Sequence, residues 1–205
     1  MTEPDFDHEA GRHQLGDESG KYFDYSQRAQ WLRAVVLGGN EGVVSATLLI
    51  IGAGTHIDET EALIVTGLLG LLAGALSMAT AEFVSVYVQV DTVKAQEDRD
   101  QREGRAGGTK TAAAPSPTQV AVAASVAYVV GGILPLLAAF AIKDQQIRVL
   151  AAAVTAWFAM LVLGNVAAAL GKASVARSCA RVLVGGWIEI AVMVGRRKAL
   201  ELYGT

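Results

Sequence analysis

Residues 32–54 read LRAVVLGGNEGVVSATLLIIGAG. Apart from Arg33 at its edge, the run holds one charge, Glu41. A helix needs roughly 20 mostly apolar residues to cross about 30 Å of hydrocarbon. The run is long enough, and reading it as a spanning helix decides the fold, because four similar runs follow. They cover about 62–88, 118–142, 147–170 and 175–194. All are rich in Gly and Ala, the residues that let helices approach closely in lipid. Helices are expected because every backbone N–H and C=O must be paired without water. The expected fold is an all-α integral membrane protein with five transmembrane helices. Residues 1–30 read as a disordered cytosolic tail, 31–195 as the five-helix domain and 91–117 as a cytosolic linker. Residues 196–205 read as a short tail on the far side.

Composition agrees. The 205 residues are 52% hydrophobic and 18% charged, with mean hydropathy +0.38. Soluble domains carry about 25% charged residues. The charges cluster in 1–33 and 91–110. A soluble helical bundle does not fit, since five such runs leave too little polar surface. No basic patch with interleaved aromatics is present, so nucleic acid is not an expected partner. Cys179 is the single cysteine and has no partner for an internal disulfide. The first twenty residues are polar and acidic and lack the apolar core of a signal peptide. The first hydrophobic helix is therefore expected to do the targeting.

Lys and Arg placement orients the chain. With the N-terminus in the cytosol, the inner segments hold twelve of the 17 basic residues, including Arg33, Arg99, Arg102, Lys172, Arg177 and Arg181. The outer segments hold Lys143, Arg148, Arg196, Arg197 and Lys198. The expectation is N-terminus inside and C-terminus outside. VDTVKAQEDRDQRE (90–103) reads as a charged helical extension of the second helix into the cytosol.

A charge within a span costs about 2.5–3.5 kcal/mol on insertion scales, so each one needs a reason. Glu41 has Asn40 beside it, Ser45 one turn on, and Gly38, Gly39 and Gly42 around it. In the second helix Gly70, Gly74, Met78 and Glu82 follow at intervals of four and share one face. Gly70 and Gly74 form a small-xxx-small strip. Carboxylates alone suit hard cations, and a thioether biases a site toward softer transition metals. A carboxylate also binds a proton in competition with a metal, which gives a physical route to coupling. The set points to a small helical transporter or channel for divalent cations. The bland alternatives are a Met that only fills space, and acids that reach water at the cytosolic interface.

Glu189, within GGWIEIAVMVG (185–195), is an unpaired acid at membrane depth whose functional and structural readings are even. Asn165 is a candidate for bonding across helices, and Pro135 for kinking the third. His56, with Asp58, Glu59 and Glu61, could bind metal weakly outside, though a solvated turn is the better reading. GG pairs recur at 38–39, 131–132 and 185–186 without aligning as a repeat. No nucleophile with a base, catalytic metal motif or phosphate-binding loop is present, so an enzyme is not expected.

Four segments carry a resemblance. They are YFDYSQRAQWLRAVVLGGNEGVVS (22–45), GLLGLLAGALSMATAEFVSVYVQVD (67–91), PSPTQVAVAASVAYVVGGILPLLAA (115–139) and GKASVARSCARVLVGGW (171–187). Together, over about 22–195, the chain resembles the vacuolar iron transporter family, closest to its short plant nodulin-like branch. The resemblance implies a five-helix homodimer in the vacuole membrane, with the ion path near the subunit interface. It implies movement of Fe²⁺, and Mn²⁺, from cytosol to vacuole in exchange for protons, with no resident cofactor. The family's pathway acid and Met fall on Glu41 and Met78, with Glu82 a companion, Glu41 also carrying the proton and Asn40 and Ser45 in support.

Two departures are visible. The family reads N-D-G where this chain has Asn40, Glu41 and Gly42. Longer members carry a glutamate-rich cytosolic metal-binding domain that 91–117 does not reproduce. These departures motivate an alternative of a different class, a membrane interaction protein that does not transport. A transporter of another divalent cation is also open.

Overall fold

The computed structural model describes residues 8–53, 60–104 and 116–203. They form five helices: α1 (His8–Ala53), α2 (Thr60–Arg102), α3 (Pro117–Phe140), α4 (Gln145–Gly171) and α5 (Val175–Tyr203). Four contain spans long and apolar enough to cross a membrane: Ala29–Gly52, Glu61–Arg102, Pro117–Phe140 and Gln145–Gly171. The first, third and fourth match the sequence reading to within a few residues.

Differences from the sequence reading lie at the ends of helices. α1 starts at His8, so residues 8–30, read as a disordered tail, run continuously into the first span. Between Pro4 and Pro115 no proline interrupts the chain, and extending an existing helix is far easier than nucleating one. α2 continues through the charged segment to Arg102 and stops where Gly104 takes a left-handed φ of 69°. The helical extension expected for 90–103 is there. At 1.5 Å per residue, it reaches about 20 Å beyond the apolar part of α2.

Local signals set the other boundaries. Pro117 opens α3, where a missing N–H costs nothing. Pro135 sits buried inside α3 without ending it. Asp144 caps α4 by accepting a hydrogen bond from the Ile147 N–H at 3.0 Å, and Lys172 closes it in the left-handed region. Arg148, although buried, donates to the carbonyls of Ile142 (2.9 Å) and Lys143 (3.2 Å) and so ties down the turn between α3 and α4.

α1 is the hub. It packs against all four other helices, whereas α2 touches neither α4 nor α5, and α3 does not touch α5, among the described residues. One cluster joins Ile50 to Leu71, Tyr128 and Leu136. A second joins Val43 and Val44 to Met160 and Ile190. A third joins Ala34 to Val86 and Ala124. The α1–α3 seam is the closest approach. A methyl on Gly38 would strike the Ala124 carbonyl, and one on Gly42 the Tyr128 carbonyl. One on Gly131 would strike the Gly39 carbonyl. Two of the GG pairs seen in the sequence therefore face each other across this seam.

Candidate functional site

Because α2 and α5 flank α1 without meeting, one face of α1 is left open. Arg33, Leu37, Glu41 and Leu48 follow each other at intervals of four, four and seven, which places them on one stripe. Leu37 is 43% exposed, and Glu41 and Leu48 are half-buried. The other faces of α1 carry the glycines and branched residues that bury against α3, α4 and α5. Glu41 thus sits half-buried on an incompletely covered stripe of the hub helix beside α5, and Leu48 at the far end of that stripe packs against the cluster of Val44 and Ile190.

At the start of this stripe Arg33 donates to the Glu82 carboxylate at 2.7 Å. The Glu82 side chain is buried, 5% exposed, and that of Arg33 is 44% exposed. Glu82 does not reach water directly; Arg33 does so for it. The pair fixes the relative height of α1 and α2. A second contact, between Leu49 and Gly70, shows that the two helices run antiparallel. Met78 lies four residues from Glu82 and Glu41 eight from Arg33. At 1.5 Å per residue Met78 stands about 6 Å above the ion pair and Glu41 about 12 Å above it. Glu82, Met78 and Glu41 are rungs at three heights rather than one cluster.

The surroundings of these residues divide them. Met78 is half-buried and packs against two apolar clusters, one with Tyr128 and one with Ala34 and Val86. The Gly70–Gly74 strip admits side chains, not another backbone. Leu49 fills the space beside Gly70, and the Tyr128 ring and hydroxyl fill that beside Gly74. Ser45 lines a cavity of about 40 Å³ with Leu49, Gly67, Gly70 and Tyr128, large enough for a water.

Asn40 and Glu41 turn toward α5. The side-chain oxygen of Asn40 is buried and has no hydrogen-bond partner. It lies 3.4 Å from where a Cβ on Gly186 would be, and Met160 Sδ lies 2.7 Å from the same point. Glu189, one turn beyond Gly186, is exposed at the height of the turn that begins at Glu41. The sequence marked Glu189 as unpaired at membrane depth but could not show that its neighbour is a second acid. In the sequence Arg33 signals only orientation. Its pairing with Glu82 had one available signal: a lone base at the start of one span and a lone acid near the end of the next, which antiparallel helices bring to the same side.

Asn165 bonds to the Leu161 carbonyl of its own helix at 2.8 Å rather than across helices. Its polar end is satisfied within one turn. His56, Asp58 and Glu59 lie outside the described residues, and Glu61 is exposed at the start of α2. Among the described residues no group of three or more His, Cys, Asp or Glu is placed to hold a metal. A cation here would draw on carboxylate pairs helped by Asn or Met oxygen and sulfur.

The fold and site define a polytopic helical protein with carboxylates, Glu41, Glu82 and Glu189, spread over three of its helices around the hub. Residues 32–108 and 106–196 match the VIT family. The chain is 47% identical over 182 residues to Vacuolar iron transporter homolog 2 of Arabidopsis thaliana, covering 89% of this chain and 90% of that one. It is 44% identical over 190 residues to Vacuolar iron transporter homolog 5 of Oryza sativa subsp. japonica, covering 93% and 88%. It is 39% identical over 181 residues to VIT-like transporter 1b of Glycine max, covering 86% and 79%. The chain belongs to the VIT family.

Proposed function

We propose that this chain is a multi-pass transporter of the vacuole membrane that moves Fe²⁺, and Mn²⁺, from cytosol to vacuole in exchange for protons. The VIT family is one of transporters, not enzymes. The observation that carries the reading is Glu41, a carboxylate at membrane depth on the open face of α1, in a chain whose relatives bear the name vacuolar iron transporter homolog. The ladder supports a path. Glu82 at the cytosolic end, Met78 above it and Glu41 higher still offer oxygen, sulfur and oxygen donors at successive heights. Mixed donors of this kind suit a first-row divalent ion, and Glu41 can exchange that ion for a proton.

In this reading α5 also spans, with the N-terminus in the cytosol. Only 14 residues separate Arg181 from Arg196, about 21 Å of helix. Arginines at both ends can extend their stems to the interfaces and close the gap. The open face of α1 is covered by a second copy, making a homodimer. The test is uptake into proteoliposomes with a pH-sensitive dye inside. Fe²⁺ should enter as protons leave, and Glu41→Gln should abolish both fluxes. Normal Fe²⁺ uptake by that variant would sink the reading.

The Arg33–Glu82 pair favours a second reading, since a carboxylate already neutralised by Arg has less to offer a metal. In that case the chain is a membrane interaction protein, and no divalent ion enters above background.

A further inference from the structure

We propose that Glu189 of α5 is a cation-binding residue that shares one divalent ion with Glu41, with the Asn40 side-chain oxygen completing an all-oxygen set between α1 and α5. The proposal rests on the transport reading and extends its site to a third helix.

Three observations carry it. First, α1 and α5 run side by side with fixed register. Asn40 lies against Gly186, and Val44 and Ile190 share a cluster one turn further on. This brings Glu189, which is exposed, to the height of the segment that begins at Glu41, on the same side of the α1–α5 seam. Second, among the residues whose side chains are described, none of the bases of α1 and α5 lies within a turn of either acid. Arg33 and Arg181 each lie eight positions away along their helices, about 12 Å, and Arg33 is bonded to Glu82. Third, the Asn40 oxygen is buried without a partner beside the same turn of α5. A buried carbonyl oxygen without a donor is costly and calls for a proton donor or a cation.

Two neighbouring carboxylates and an amide oxygen at membrane depth repel each other when empty. A divalent cation between them removes the repulsion, neutralises the pair and satisfies the amide. The donor set differs from the one on α2. Oxygen alone favours harder ions, so this position should hold Mn²⁺ well. Met78 belongs to the apolar clusters between α1, α2 and α3 and is not part of this set. Glu189 therefore acts on ion preference as well as affinity.

The experiment is Mn²⁺ binding to the purified full-length chain in detergent, read by the electron paramagnetic resonance of free Mn²⁺. Glu189→Gln should weaken binding about tenfold, as loss of a ligand-shell group commonly does. Glu189→Asp should restore most of it. Gly185→Ala, where a methyl meets nothing within 4 Å, should bind as the parent. If Glu189→Gln does not elute as a folded protein, Asn40→Ala reads the same loss through the other helix. Weakening of about threefold or more supports the proposal, and a smaller change, or a parent chain that binds no Mn²⁺, overturns it. Uptake measured in parallel separates the two ideas. Binding that depends on Glu189 without any uptake refutes transport alone. Uptake and binding both indifferent to Glu189 refute this proposal alone.

Discussion

Arg33 and Glu82 form an ion pair that joins α1 to α2. Glu82 is buried and Arg33 is partly exposed, so removing the base strands a charge whereas removing the acid lets Arg33 extend toward water. Breaking a buried pair from the wrong side costs up to about 3–5 kcal/mol, and partial exposure of Arg33 lowers this. Arg33→Gln should therefore lower the melting temperature in detergent more than Glu82→Gln does. The double variant should recover part of the loss. Equal effects of the two single variants would mean that the pair is not buried as described. Sequence alone offered a reason to look at Glu82, an acid within a span, and used Arg33 only to orient the chain. It could not pair them, because which helices become neighbours depends on side-chain packing along α1 and α3 and not on any local pattern. The same holds for Glu189. Its acid was visible in GGWIEIAVMVG, but its neighbour Glu41 lies 148 positions earlier in the chain.

Among the elements, the α1–α3 seam shows why glycines recur where they do. Gly38, Gly39 and Gly42 meet Ala124, Gly131 and Tyr128 backbone against backbone. Gly42→Ala should force the helices apart and cost about 1–3 kcal/mol, as overpacking of a tight interior does. The melting temperature should fall by several degrees, whereas Gly185→Ala, facing open space, should not change it. A neutral Gly42→Ala would mean that the seam is looser than these contacts imply. The positions of α1–α4 were legible because long apolar runs have few alternatives. The ends were less so. α2 passes from apolar to charged residues without a breaker until Gly104, so hydropathy marks the membrane boundary while backbone conformation marks the helix boundary. α5 was hardest, because arginines flank a short apolar stretch that carries Glu189.

At the scale of the molecule, the uncovered surfaces decide what can sit beside this chain. In α2 only 22% of the apolar window is buried, against 50% in the first span, so most of α2 faces outward. Two faces compete for a second copy. One is the α1 stripe between α2 and α5, with Leu37 and Glu41. The other is an apolar groove of about 1000 Å³ between α3 and α4, lined by Val122, Val126 and Phe158 among others. The groove is apolar along its length and loses nothing by facing lipid tails. The α1 stripe carries a carboxylate, and Glu41 facing hydrocarbon would cost about 2.5–3.5 kcal/mol. Covering that stripe with the same stripe of a second copy would relieve the cost and, in the proposed transport reading, enclose the path. A single cysteine at Leu37, in a Cys179→Ala background, should therefore form a disulfide-linked dimer in membranes under mild oxidation. A cysteine at Val126 should remain monomeric. The opposite outcome would seat the partner in the groove. The ions would then pass through a single protomer, with Glu41 and Glu189 facing water rather than a partner.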